Sequence, residues 1–325
     1  MANITSDVQH YWKGKRVLIT GCDGFIGSHL VEKLLFEEAS VMGIVKPVSA
    51  RNDYVLKNLE AVENRIELIC CDLGKKDSIE LIKKAKPEIV LHLAALAHVD
   101  YSFDHPREVT DSNLIGTLNV LDACLGAKVE RVVVTSSSEV YGPALTDSID
   151  ETHPLFPTTP YAASKVACDR YAYAYFKTYG LNVSIIRPFN TYGPRHTYDV
   201  IPRFIWLALR DQPLTIFGSG KQSRDFTYVD DMVDAYLCMG SSKVTGEAVN
   251  FGTGRDVTIL ETANQIISLS KSKSTLVMKN ERPGEVSRLC CNPSKAFQMF
   301  GWKASVSLAD GLKRNIEWCR QNWSK

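Results

Sequence analysis

Arg16-Val17-Leu18-Ile19-Thr20-Gly21-Cys22-Asp23-Gly24-Phe25-Ile26-Gly27 sets an apolar run directly before three evenly spaced glycines. Val17, Leu18 and Ile19 are apolar without alternation, the pattern of a strand covered on both faces. Gly21, Gly24 and Gly27 let the backbone turn tightly and let an anion approach the amides at the start of a following helix. A strand, a glycine turn and a helix in that order predict the opening β-α unit of a nucleotide-binding sheet. Phe25 and Ile26 lie inside the same turn and are assigned to the same ligand.

The pattern continues outward from this run. Residues 41–45, 66–70, 89–93, Arg131–Thr135 and 183–187 read as further apolar strands, and 28–37, 112–125 and 161–179 as helices. This alternation predicts an α/β fold, a Rossmann-type doubly wound parallel sheet, over residues 12–187. Beyond Arg187 the alternation is broken by Pro188, Pro194, Pro202, Pro213, Pro283 and Pro293, with Gly218 and Gly220 between them. A smaller, mostly C-terminal substrate-binding domain is therefore expected over 188–325, with the chain returning to the sheet around 226–254.

Composition narrows the partners. Lys and Arg total 38 against 37 Asp and Glu, so no basic excess points to nucleic acid or a membrane surface. No apolar run approaches the ~20 residues of a membrane span, and residues 1–12 lack an apolar signal core. The nine cysteines include the adjacent pairs Cys70-Cys71 and Cys290-Cys291, which lack metal-ligand spacing. No metal is expected. A reduced, cytoplasmic protein is expected.

Two further stretches carry chemistry. Thr135-Ser136-Ser137-Ser138-Glu139-Val140-Tyr141-Gly142 follows an apolar strand, and Tyr161-Ala162-Ala163-Ser164-Lys165 opens a helix. Spacing of four puts the Tyr161 phenol and the Lys165 ammonium on one helix face. A phenol titrates near pH ~10, too high for an efficient base at neutrality. Lys165 and a positive nicotinamide ring are expected to lower it, with Ser137 bonding the same substrate oxygen.

With the glycine turn, the serine run and the Tyr-Lys pair in this order, the chain resembles the extended short-chain dehydrogenase/reductases. The resemblance is to their NAD(P)-dependent nucleotide-sugar epimerase/dehydratase family, and it covers essentially the whole length. It implies that Tyr161 takes the proton of the sugar 4-hydroxyl as hydride passes from C4 to the nicotinamide. Lys165 would tune Tyr161 and anchor the ribose, and Ser137 would be the hydroxyl partner.

The same resemblance places Asp72 and Leu73 against the adenine and Leu93, Ala94 and Ala95 beside the cofactor. Asn113 would support the nicotinamide-side loop, and Thr191 would lie against the cofactor. The stretch 187–194 resembles the segment whose asparagine, here Asn190, binds the substrate diphosphate. Thr215 and Phe217 fall on the strand bordering the nucleobase. Residues 218–231 resemble the run that supplies an arginine, here Arg224, to the diphosphate, with Arg282 opposite. His98 is assigned to the sugar pocket, with a structural role left open. Lys46 and Arg51 stand where an acidic residue would grip the ribose of NAD, which leans towards NADP and leaves NAD open.

Glu139 separates the subfamilies. Simple oxidation has no use for it, whereas a 4,6-dehydratase needs a base for the C5 proton. Ser138 stands where one dehydratase branch has an aspartic acid, and the GDP-mannose dehydratase branch resembles Ser-Glu here. The expected activity is a nucleotide-sugar 4,6-dehydratase, a lyase. A 4-epimerase, a UDP-glucuronate decarboxylase, a 4-keto-sugar reductase and a non-catalytic NAD(P)-binding regulator remain as alternatives. Aromatic groups on several faces of 161–179 predict burial beyond the sheet side, and the resemblance implies a homodimer through that helix and 112–125.

Overall fold

A computed structural model describes residues 10–47, 57–282 and 284–323; Arg51 lies outside them. Seven parallel strands form the central sheet: β1 (Arg16–Thr20), β2 (Ser40–Val45), β3 (Glu67–Cys70), β4 (Ile89–His92), β5 (Arg131–Thr135), β6 (Val183–Pro188) and β7 (Ala248–Phe251). Their spatial order is 3-2-1-4-5-6-7. In register, Val17 faces Val41 of β2 on one side and Ile89 of β4 on the other. The order reverses between β1 and β4, so a crevice opens at the carboxyl ends of these strands.

Both faces of the sheet are buried, as the unbroken apolar runs imply. Val17 and Ile19 pack with Leu30, Val31 and Leu34 of α1 (Phe25–Phe36) in one core cluster. Leu18, between them, points the other way, into a cluster with Val120, Leu121 and Cys124. β3 departs from expectation. It pairs only with β2, and Glu67 and Leu68 are exposed, because an edge strand has no second neighbour.

α1 begins at Phe25, three residues before the expected start, because the glycine turn itself is its N-terminus. Gly21 sits at φ +68, where a side chain is strained, and a Cβ there would stand 3.0 Å from the Ala94 backbone. A Cβ on Gly27 would lie 2.1 Å from the Gly21 carbonyl oxygen. α2 (Asp77–Ala85) and α3 (Gly116–Ala127) cover the opposite face. A π-helical turn, Asp111–Ile115, precedes α3 where a single regular helix was expected.

α4 (Pro160–Tyr179) carries the Tyr-Lys pair. Thr159 accepts from the Ala162 amide at 3.1 Å, Pro160 takes the first turn, and Gly180 in the left-handed region ends the helix. After β6 the chain builds α5 (Val200–Ala208), then Ser223–Asp225, which pairs with Asp256–Thr258 and Arg288–Leu289. α6 (Val229–Ser241) returns under the sheet and leads to β7. No helix among the described residues is long and apolar enough to cross a membrane. All nine cysteines are unbridged.

Candidate active site

Two cavities meet at the carboxyl edge of the sheet. The larger, about 560 Å³, runs along the glycine turn past the ends of β2, β4 and β5 to the head of α4. The smaller, about 250 Å³, lies under α5 and the C-terminal strands. His98, Glu139, Asn190, Tyr198 and Asp199 face both, so the two form one continuous cleft.

The larger cavity is lined by Gly21, Gly24, Phe25, Ile26, Gly27, Lys46, Asp72, Leu73, Leu93, Ala94, Ala95 and Thr191. Its chemistry fits a dinucleotide. The first turn of α1 has no side-chain cap and no acidic residue, leaving its amides and dipole for an anion. The small side chains of Ala94 and Ala95 leave a flat wall beside it. Asn113 does not line the cavity. Its amide accepts from the Leu96 N–H at 2.7 Å and donates to the Leu96 carbonyl at 3.2 Å and to Ser164 Oγ at 3.0 Å. It therefore ties the loop after β4 to α4, as the supporting role implied, without touching the ligand space.

Ser137, Ser138, Glu139, Tyr161 and Lys165 converge at the inner end. Ser137 caps the short turn Ser138–Tyr141 by accepting from the Glu139 amide at 3.2 Å. Lys165 Nζ donates to the Thr135 carbonyl at 2.5 Å, and burial holds its own pKa down. Burial pushes the Tyr161 phenol above its ordinary value; the Ser137 hydroxyl pulls the other way, and the charges of Glu139 and Asp199 push further up. Glu139 is raised too, by burial first, with Arg224 opposing and Glu285 and Asp199 adding. Perturbed acids gathered in a cleft are what acid–base chemistry requires.

The smaller cavity holds Thr215, Phe217, Arg224 and Arg282. Both arginines assigned to the diphosphate are already paired. Arg224 donates to Glu285 at 2.6 Å and to the Val286 carbonyl at 2.7 Å. Arg282 lies 4.3 Å over the Phe217 ring and reaches Asp100 at 3.3 Å. The Asn190 Oδ1 is buried and has no partner among the described residues.

Among the residues sequence reasoning missed are Arg203, Tyr198 and Asp199 in this site and the buried Asp169 behind it. Arg203, from α5, lies 5.8 Å over Phe217 and faces the smaller cavity. Its signal was a lone cation in the apolar run Val-Ile-Pro-Arg-Phe-Ile-Trp. Asp199, at φ 72 and ψ −179, and Tyr198, 4.1 Å from the His98 ring, wall the junction, and no motif marks either. Asp169 follows Tyr161 and Lys165 at the same spacing of four, and that spacing could have found it.

A family model described as GDP-mannose 4,6 dehydratase matches residues 18–315. The chain belongs to the extended short-chain dehydrogenase/reductase family. It is an enzyme of the nucleotide-sugar dehydratase and epimerase kind. The dTDP-D-glucose 4,6-dehydratase of Homo sapiens is 36% identical over 95% of this chain and 91% of its own length. Among solved structures, DesIV of Streptomyces venezuelae, a dTDP-glucose 4,6-dehydratase with NAD bound, is 32% identical. It covers 95% of this chain and 98% of its own, at a TM-score of 0.89. The UDP-glucuronic acid 4-epimerase of Bacillus cereus, in complex with UDP-glucuronic acid and NAD, is 30% identical. It covers 94% of this chain and 99% of its own, with a TM-score of 0.87. These likenesses support a nicotinamide dinucleotide as the cofactor of the larger cavity.

Proposed function

We propose that this enzyme is a nucleotide-sugar 4,6-dehydratase. The observation that carries the reading is Glu139, a raised carboxyl in the wall shared by both cavities and beside Tyr161. A nicotinamide dinucleotide in the larger cavity supplies the acceptor for the C4 hydride, its return at C6, and a positive ring beside the phenol. Gly21, Gly24, Phe25, Ile26 and Gly27 hold it by backbone at the α1 terminus, with Asp72, Leu73, Leu93, Ala94, Ala95 and Thr191 along its length.

Tyr161 takes the proton of the sugar 4-hydroxyl, and Ser137 bonds the same oxygen and orients it. Lys165, fixed on Thr135, holds its ammonium at the ribose side. Once C4 is a ketone the C5 proton is acidic, and Glu139 removes it. The leaving 6-hydroxyl needs a proton to depart as water. Ser138 has no carboxyl to give one, so the proton Glu139 has gained serves there; when hydride returns to C6 a proton returns to C5, balanced by release of the proton that Tyr161 took from the 4-hydroxyl. Phe217 with Thr215 borders the nucleobase, and Asn190, Arg224 and Arg282 bind the diphosphate. His98 lines the sugar pocket.

Lys46 at the end of β2 supports NADP over NAD, although the two solved relatives above contain NAD. Relative affinity for the two dinucleotides tests this. We place the dinucleotide-binding part at 12–187 with the returning segment around 226–254, and the substrate-binding part in the rest of 188–325. Exposed Tyr171, Tyr173 and Tyr179 on α4, with Ile115 ahead of α3, support a homodimer through these helices. Sedimentation as a monomer at working concentration would refute it. The unbridged cysteines suit a reducing compartment, and we place the protein in the cytoplasm.

The deciding experiment incubates the protein with UDP-, GDP-, CDP- and dTDP-hexoses and identifies products by mass and NMR. A 4-keto-6-deoxy product is expected. A mass-neutral product would show an epimerase instead, loss of carbon dioxide a decarboxylase, and stoichiometric NADPH consumption a reductase.

A further inference from the structure

The cleft is sorted by charge along its length. At its outer end Arg203 and Arg282 flank the Phe217 ring, and Arg282 reaches Asp100 across the mouth. At the junction of the two cavities, towards Tyr161, the charged groups are Glu139 and Asp199, with Glu285 and Arg224 on the side of the smaller cavity and Lys165, fixed on the Thr135 carbonyl, on the side of the larger. Arg224 is held by Glu285 at 2.6 Å, so its charge is already met. That leaves Glu139 and Asp199 without a lysine or arginine at hydrogen-bond distance among the described residues.

Asp199 is the more exposed of these two. Its neighbour is His196, whose Nε2 is 3.4 Å away and charged only when protonated. Half of the Asp199 side chain is exposed. Asp199 lines both cavities together with Glu139, and the larger one together with Tyr161.

We propose that Asp199, backed by Glu139 and Glu285, makes the inner end of the cleft select nucleotide-linked sugars without an acid group and refuse nucleotide-linked hexuronates. The inference rests on the nucleotide-sugar reading and names its substrate class. It does not depend on which reaction follows. The polarity also orients the substrate: the diphosphate goes to the arginines, and a sugar offering only hydroxyl or acylamino groups goes to the carboxylates, which accept its hydrogen bonds. A carboxylate at C5 of a hexuronate would bring a like charge against Asp199 and Glu139, a repulsive element of the kind that sets specificity.

Equilibrium binding to the dinucleotide-loaded enzyme tests this with two matched pairs, UDP-glucose against UDP-glucuronate and GDP-mannose against GDP-mannuronate. Each pair shares its nucleotide, so the nucleobase contribution cancels. The neutral member is expected to bind at least roughly tenfold more tightly in the pair whose base the site accepts. Asp199→Asn and Asp199→Gly should each narrow that gap to about threefold, mainly by strengthening hexuronate binding. The glycine variant relieves the backbone at this residue, so a folding defect in one variant does not decide the result. Equal binding of the two members, or a gap unchanged in both variants, would overturn the proposal. Selective binding of the neutral sugar followed by release of its 4-epimer would sink the dehydratase reading and leave the selectivity standing. Dehydration with unselective binding would do the reverse.

Discussion

Arg187, the fifth residue of β6, grips Asp169 of α4 with two hydrogen bonds, Nε to Oδ2 at 2.8 Å and Nη2 to Oδ1 at 3.1 Å. Its third nitrogen donates to the Tyr141 hydroxyl at 2.8 Å, and Tyr141 in turn donates to Asn250 at 2.6 Å. Tyr141 closes the turn that bears Glu139, and Asp169 lies two turns along the helix face from Tyr161. One buried guanidinium therefore fixes the base of the second step relative to the base of the first. The proposed chemistry needs both at the same sugar.

Asp169→Asn should destabilise the fold by about 3–5 kcal/mol in urea unfolding, because it leaves the Arg187 charge buried without its counter-ion. Burial alone would lift the Asp169 carboxyl, but Arg187, with Arg170 beside it, holds it below its usual range. The stabilisation is thus complete above the unfolded value of about 4 and is lost as pH falls through the lower folded value. The variant should flatten the acid side of the stability curve; an unchanged acid side would refute the assignment.

Glu139→Gln should block water elimination while the absorbance of reduced dinucleotide still builds in a single turnover. Normal product formation in that variant would end the case for Glu139. In the wild type the raised Glu139 pKa moves the acid limb of the rate profile upward, since removal of the C5 proton needs the ionised form. A limb at the ordinary carboxylate position, about pH 4, would show that burial does not act on it during turnover.

Gly27→Ala puts a methyl 2.1 Å from the Gly21 carbonyl oxygen, a contact that only movement of backbone can relieve. Dinucleotide affinity should fall by at least about a hundredfold, because the α1 amides lose their alignment on the pyrophosphate. The thermal shift given by added dinucleotide reads this directly, and a wild-type shift would show that the glycine is not needed for binding.

The strands and much of the lining of the larger cavity were legible because they rest on local signals. The run Val17 to Ile19 needs burial on both faces, and the glycine turn needs particular backbone geometry. β3 was legible as a strand, but its edge place and the exposure of Glu67 and Leu68 were not, because only the pairing of strands decides them. The Thr135 partner of Lys165 was not legible, for a related reason. Helical spacing says that two groups share a face, but not that the Thr135 carbonyl, thirty residues earlier, takes the ammonium. The arginines were found by type, yet their partners Glu285 and Asp100 come from other parts of the chain. Asp199 left no trace in the sequence, since its position depends on a backbone conformation that no short pattern encodes.

That conformation yields a last expectation. Asp199 sits at φ 72 and ψ −179, a region open to glycine and costly for a residue with a Cβ, by about 1–3 kcal/mol. It directly precedes α5 and has no cap hydrogen bond to offset that cost. Asp199→Gly should therefore stabilise the free protein, by about 1 kcal/mol once the greater freedom of glycine in the unfolded chain is subtracted. Chemical denaturation without ligand measures it. A gain in stability together with weaker discrimination between neutral and acidic sugars would mean that the strain is kept for the carboxylate's sake. A loss of stability would mean that the Asp199 side chain holds the loop by contacts stronger than its 3.4 Å approach to His196.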